Sequence, residues 1–398
     1  MKAVMYGGGN IGRGFIGLLF SQSGYETTFI DIAEPVVNAL NERHSYPVRV
    51  TMPDSVTDIL VENVSAINGN DCEAAAEAIA SCDIMATSVG AKILKFIVPN
   101  IVKGIRLRFE RTDAPLNIII CENLNNANKA LEDMLKAELT EEECARFDRQ
   151  IGLVEASVGR MVPVQTEEMH DGDPLRVCVE RYGFLPVDKD AFKGTIPGIK
   201  NMLPYSPFDY FVKRKLFIHN MGHACCAYLG RLKGCEYIYE AISDPDIALI
   251  TRSAMEAAAE ALSKKYSMPL ADILAHIRDL NYRFTNVLLH DTCDRVGREP
   301  ERKLAADDRL IGAYRLCRET GTDTSFISVA IAAALFRYLD EAGAEPTAAN
   351  AADALKKLSG ESIPDALLYF GMLCENKSLH EIYSLAQQHE IVAAGSII

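Results

Sequence analysis

Short apolar runs at residues 3–6, 26–30, 83–88 and 116–121 are separated by stretches whose apolar positions recur at helical spacing. Strands alternating with helices in this way predict an α/β domain built on a parallel sheet. Further strand-like runs stand at 151–156 and 175–179, and then Gly194, Pro197, Gly198, Pro204 and Pro207 crowd into one stretch. That stretch reads as a linker and puts a domain boundary near residue 200. Beyond it the pattern is almost wholly helical. Asp244 is placed to cap, Pro245 to take the first helical position, and Ile247, Ile250, Ala254, Ala257, Ala258 and Ala261 follow at helix spacing before Lys264 and Lys265. Residues 325–339 and 347–358 show the same kind of pattern. A chain of 398 residues is long enough for both parts, so we expect an α/β domain over 1–200 followed by a mostly α-helical domain over 201–398.

Composition narrows the class. Apolar residues make up 48% and charged residues 24%, a globular mixture rather than a disordered one. The net charge of −14 argues against a general nucleic-acid scaffold, which needs a basic surface, although a local basic pocket stays open. Eleven cysteines form no CxxC pair, and no run of about 18 apolar residues suggests a membrane span. The chain opens Met1-Lys2-Ala3-Val4-Met5-Tyr6 and runs straight into glycines, so the expectation is a cytoplasmic protein with reduced thiols and no targeting segment.

Gly7, Gly9 and Gly12 form GxGxxG, directly after the first strand and before the apolar helix pattern at 15–20. Glycines there let the backbone turn tightly and approach a pyrophosphate, whose charge meets free N–H groups at the helix N-terminus. The first domain is therefore expected to be of Rossmann type, with Gly7, Gly9, Asn10, Ile11 and Gly12 against a dinucleotide. Asp31 closes the second strand at the position for a carboxylate on the adenosine ribose. A 2′-phosphate would meet like charge there, which favours NAD over NADP. Thr87 and Val89, in Thr87-Ser88-Val89-Gly90, are expected at the carboxyl ends of the strands, where such sheets bind ligands.

The segment Lys213-Arg214-Lys215-Leu216-Phe217-Ile218-His219-Asn220-Met221-Gly222-His223 concentrates ionisable and amide groups in a helical pattern. Asn220 and His223, three apart, share a helix face. On an ideal α-helix Lys215 lies about 140° from Asn220 and about 80° from His223, so its stem has to bend or the helix has to start later. Oxidising an alcohol requires a base for the hydroxyl proton and donors for the developing alkoxide. A lysine with a lowered pKa and amide side chains supply those groups. The same segment also reads as a solvated Lys/Arg face with His223 in the core, or as half of a zinc site through His219 and His223, for which no third ligand stands at a suitable spacing. Adjacent Cys225 and Cys226 look like small buried helix residues.

At this point the chain resembles the polyol-specific long-chain dehydrogenases. The resemblance covers most of the chain and rests on Gly9-Asn10-Ile11-Gly12-Arg13-Gly14-Phe15-Ile16-Gly17, on Leu40-Asn41-Glu42-Arg43-His44-Ser45-Tyr46, and on the signature K-x4-N-x2-H at Lys215, Asn220 and His223. Cys121-Glu122-Asn123-Leu124 is similar to the segment that carries a second catalytic asparagine. What the resemblance implies is hydride transfer without a metal: Lys215 as general base, Asn123 and Asn220 holding the oxyanion, and His223 orienting the site. It also implies that Arg295 and Lys303, eight apart, bind substrate. The run from Asp294 to Leu304 brings cations into an acidic chain, as a phosphorylated sugar alcohol requires, with Arg298 and Arg302 as further phosphate candidates beside Arg160. A charged loop paired with nearby acids is the competing account of that run. Where the family reads V-D-R-[IV]-x-P, this chain has Val158-Gly159-Arg160-Met161-Val162-Pro163, so Gly159 replaces an acid. The expected partner is thus a small sugar or polyol phosphate, with no nucleic acid and no membrane. An unphosphorylated polyol or a hexuronate under the same chemistry, and an idle NAD-binding redox sensor, are the alternatives.

Overall fold

The computed structural model describes residues 1–124 and 126–395, with side chains through Val392. The chain divides into two compact units, Met1–Asp209 and Tyr210–Ile398. In the first, six parallel strands form one sheet: β1 (Lys2–Tyr6), β2 (Glu26–Asp31), β3 (Val64–Asn68), β4 (Ile84–Thr87), β5 (Leu116–Ile120) and β6 (Ile151–Glu155). Their spatial order is β3-β2-β1-β4-β5-β6, the doubly wound Rossmann arrangement. Strand residues alternate between two cores. Ala3, Met5 and Ile119 join Phe15, Leu19, Phe29 and Tyr46 on one face, while Val4, Tyr6, Ile118 and Ile120 join Ile79, Ile97, Ile101 and Leu131 on the other. Both faces are covered, so the strands read as continuous apolar runs.

The order reverses between β1 and β4, where Tyr6 pairs with Thr87. The glycine-rich turn after Tyr6 and the loop after Thr87 therefore emerge side by side at the carboxyl ends of the strands, where open α/β sheets bind ligands.

Of two small sheets, only the strand at Val177–Glu180 matches an expected run, that at 175–179, and one main-sheet strand also lies outside the sequence expectation. Ser45–Met52 and Ser55–Glu62 form a hairpin around Pro53 and Asp54, and Val177–Glu180 adds in parallel to it. Tyr46, Val48 and Val61 are buried there, but Pro47 and the charged residues between them obscure the period-two signal. Edge strand β3 is short and follows Glu62 after the single left-handed residue Asn63 at φ 58°. The stretch read as a linker contains Met202–Tyr205, which pairs in parallel with Leu185–Asp188. Its prolines are tolerated because a two-stranded ribbon leaves one edge of each strand free of ladder bonds.

The second unit is helical, with one isolated strand bridge between Tyr237 and Thr292 among its described residues. Pro245–Tyr266 forms as expected: Asp244 accepts from the N–H groups of Asp246 and Ile247, each at 3.1 Å, and Ser267 closes the helix in the left-handed region at φ 54°. Ser325–Glu341 is buried without interruption from Ser325 to Leu335 and forms the centre of the unit. Among the described residues no helix is long and apolar enough to cross a membrane.

Candidate active site

In the first unit the glycines divide their tasks. Gly7 has φ +105°, and a side chain on it would place Cβ 2.3 Å from Ser88 O. A Cβ on Gly12 would sit 1.9 Å from Gly7 O, so this glycine lets the helix start press against the strand end. A Cβ on Gly9 would meet nothing within 4 Å. Gly9 and Asn10 are exposed at the start of the helix, so that backbone is open to an approaching ligand. Ile11 lies half-buried beneath it. The helix then makes a π turn over Gly12–Gly17, where bare backbone at Gly14 and Gly17 lets Val177, Val179, Phe29 and Tyr46 pack close. Arg13 is not free for a phosphate, because its buried guanidinium donates to Gly8 O at 2.7 Å and Leu175 O at 2.5 Å.

Two carboxylates hold the cradle through backbone N–H groups. Asp31 accepts from Gly8 N at 2.6 Å and Ala33 N at 2.9 Å, which fixes the acid next to the glycine turn. Glu122, buried just after β5, accepts from Val89 N at 2.9 Å and Gly90 N at 2.8 Å and so ties down the neighbouring loop. Sequence reasoning missed Glu122 although it adjoins Asn123. A buried acid beside a strand end was the available signal. Asn123 itself is exposed. Thr87 departs from expectation: its side chain is fully buried, its hydroxyl has no hydrogen-bond partner among the described residues, and its carbonyl accepts from Cys121 N. The Val89 amide is likewise committed to Glu122.

Arg160 is also removed from the phosphate candidates. Its guanidinium is buried, donates to the carbonyls of Gly14 and Tyr182, and lies over the Phe15 ring at 4.8 Å. A Cβ on neighbouring Gly159 would come within 3.0 Å of Tyr182 Cε1.

In the second unit, Asp209–Arg214 leads without a break into a π turn over Lys215–Asn220, followed by the α-helix Met221–Leu232. The Met221 N–H donates to Leu216 O, five residues back. This corrects the ideal-helix geometry expected from sequence. With i→i+5 closure Lys215 and Asn220 stand one turn apart on the same side, and His223 follows one α-helical turn later. Lys215, Asn220 and His223 are all partly buried. The flanking cations turn onto rings instead, Lys213 over Phe217 at 5.2 Å and Arg214 over Phe211 at 4.6 Å.

His219 is buried, and desolvation together with the charge of Arg283 pushes its pKa well below the usual histidine value, so it sits neutral in the core. Among the described residues no group of three His, Cys, Asp or Glu is arranged to hold a metal. Cys225 and Cys226 are fully buried, and desolvation raises both thiols, Cys225 to about 12.

The His223 ring stacks on Phe284, with centroids 4.9 Å apart and planes 15° from parallel. Its Nε2 lies 3.2 Å from Asp291 Oδ2, an electrostatic contact without hydrogen-bond alignment. Burial raises the Asp291 carboxyl, but His223 and Arg295 outweigh it and hold the pKa below the ordinary carboxylate value. Arg295 donates its Nε to Asp291 Oδ1 at 2.7 Å, and Arg302 pairs with Glu299 at 2.9 Å and Asp308 at 3.5 Å. Lys303 is buried and donates to Arg298 O, and desolvation plus the charges of Arg309 and Arg302 lower its pKa to about 8. The exposed guanidinium of Arg298 makes no ion pair among the described residues. Much of the cationic run is thus paired with acids, as the competing account expected.

The matched family models are the mannitol dehydrogenase Rossmann domain, over residues 1–201, and the mannitol dehydrogenase C-terminal domain, over residues 208–381. The chain belongs to the mannitol dehydrogenase family of oxidoreductases. Among its relatives is mannitol-1-phosphate 5-dehydrogenase of Brevibacillus brevis, 40% identical over 346 residues, which span 86% of this chain and 88% of the relative. Two solved structures share its fold. The Pseudomonas fluorescens mannitol 2-dehydrogenase in ternary complex with NAD and D-mannitol is 14% identical, with TM-score 0.74 over 98% of this chain and 94% of that one. A D-sorbitol dehydrogenase in substrate-free form is 16% identical, with TM-score 0.74 over 98% and 91%.

The two exposed and buried glycines separate binding from folding. Gly9→Ala is expected to keep the wild-type melting temperature while NADH titration shows weaker binding, whereas Gly12→Ala loses about 1–3 kcal/mol of stability or more to overpacking. Undiminished NADH affinity in Gly9→Ala would contradict the assignment of the cradle.

Proposed function

We propose that this protein is an NAD-dependent dehydrogenase that interconverts D-mannitol 1-phosphate and D-fructose 6-phosphate, with Lys215 as general base. The observation that carries the chemistry is the π turn, which aligns Lys215 with Asn220 and His223. The relative at 40% identity supports the substrate, and the unpaired Arg298 beside buried Lys303 gives a phosphate somewhere to bind.

NAD fits the first unit on three counts: the open backbone at Gly9, the helix N-terminus behind it, and the Asp31 carboxylate fixed beside Gly8. A 2′-phosphate would meet that carboxylate as like charge, which is the basis for NAD over NADP. When bound, NAD supplies the two-electron acceptor. The rest falls to the protein. Lys215, in its neutral form, takes the proton of the hydroxyl at C5 as the C–O bond gains double-bond character. Asn220 donates its amide N–H to the developing alkoxide. His223 orients the reacting hydroxyl. Arg298 and Lys303 hold the phosphate, and Arg295 the polyol chain.

Lys215→Ala should lose at least ~10²-fold in kcat while NADH affinity stays near that of the wild type. Retained turnover would remove Lys215 from its role. Lys303 adds a pH dependence whose sign is fixed by its pKa of about 8. An anion binds the protonated amine, so affinity for mannitol 1-phosphate is level below about pH 8 and falls above it, by up to about tenfold per unit. Equilibrium titrations across pH 7 to 9.5 should show the wild type converging on Lys303→Met, and parallel curves for the two proteins would exclude Lys303 from the phosphate site.

A further inference from the structure

Asp291 has no part in the assignments above, yet its buried carboxylate touches two of the assigned side chains at once. Oδ2 lies 3.2 Å from His223 Nε2, while Oδ1 accepts from Arg295 Nε at 2.7 Å and lies 2.5 Å from Arg295 Nη2. The backbone that carries it is pinned on both sides. Asp291 O accepts from Ile238 N at 2.9 Å, His290 before it is left-handed at φ 46°, and Thr292 after it bridges Tyr237 and caps the helix Cys293–Gly297. The acid is therefore held by the main chain rather than by the groups it contacts.

The contact is not aligned as a hydrogen bond, so it is the electrostatics of the carboxylate that selects the position of the His223 proton. A bare ring lone pair 3.2 Å from a carboxylate oxygen would be repelled, so Nε2 carries a hydrogen in either charge state of the ring. The acceptor of the neutral ring is consequently Nδ1. Phe284, stacked at 4.9 Å, limits rotation of the ring out of this arrangement. The same carboxylate holds the Nε and Nη2 edge of Arg295 and leaves the Nη1 donors outside this contact.

We propose that Asp291 is the positioning residue of the catalytic unit: one carboxylate sets the tautomer of His223 and the direction of Arg295 together, so that a hydroxyl acceptor and a polyol donor are presented at a fixed separation. This rests on the reading that His223 and Arg295 face the substrate. Two contacts set by one anchor make the pair act as a unit, so removing the anchor affects turnover and substrate binding while the dinucleotide cradle of the other unit is untouched.

The test compares Asp291→Asn and Asp291→Glu in the full chain, assayed with whichever of mannitol 1-phosphate, mannitol and sorbitol the wild type oxidises fastest. A preference for a free polyol would overturn the proposed substrate and leave this test standing. Asp291→Asn should lose tenfold or more in kcat and raise the substrate KM, with NADH affinity unchanged, and Asp291→Glu should recover part of the loss. In a His223→Ala background the further loss in kcat from Asp291→Asn should shrink to under threefold. Wild-type kcat and KM in Asp291→Asn, or an equal loss in both backgrounds, would overturn the proposal. Long-range 1H–15N spectra of the histidines supply a readout independent of turnover and of how the variants fold. The wild type should show His223 protonated at Nε2, and a wild-type Nδ1–H tautomer would also overturn it.

Discussion

The i→i+5 closure from Lys215 to Asn220 decides which side chains of this segment share a face, and the assignment of Lys215 and Asn220 to one reaction depends on it. A π turn is rare because its backbone geometry is less favourable than that of an α-helix, and it persists where surrounding packing enforces it. Here Leu216, Phe217, Ile218 and His219 are all buried within the turn, and Phe217 packs so close to Gly312 that a Cβ there would lie 2.6 Å from its ring. The interior side of the turn is thus fixed by apolar contacts, while Lys215 and Asn220 at its two ends stay partly accessible. An α-helical register through the same residues would rotate Lys215 away from Asn220.

The first unit uses a related device. Its glycine-bearing helix also makes a π turn, over Gly12–Gly17, and packs against strands through bare backbone. The ligand-facing loops are then held by carboxylates that accept from main-chain N–H groups, Asp31 at Gly8 and Glu122 at Val89 and Gly90. A carboxylate that accepts two main-chain N–H groups fixes loop geometry. Asp291 acts on side chains as these acids act on backbone. In each case an acid sets the position of a group that would otherwise be free to move.

Much of this was legible in the sequence because it rests on short-range signals. β1, β2, β4, β5 and β6 appear as apolar runs because both faces of the sheet are covered, and Asp244 with Pro245 marks a helix start by chemistry local to three residues. The hairpin at Ser45–Glu62 was not legible, since Tyr46, Val48 and Val61 are its main buried anchors and Pro47 interrupts the pattern. Lys215, Asn220 and His223 stood out as residue types, but their alignment was hidden: a periodicity argument assumes 3.6 residues per turn, and this segment departs from it. Thr87 and Arg160 looked available for binding because sequence position shows neither burial nor the carbonyls a guanidinium has already taken. Asp291 stands four residues before Arg295, an ion-pair spacing that sequence alone displays. Its contact with His223 joins residues 68 positions apart and exists only in the fold.

The central claim, hydride exchange on a phosphorylated ketose through a lysine base, is tested most directly by following NADH absorbance with fructose 6-phosphate, fructose and fructuronate in parallel, without added metal. Rapid oxidation with fructose 6-phosphate alone is the expected result. Preference for fructose or fructuronate, or no oxidation with any of the three, would contradict it.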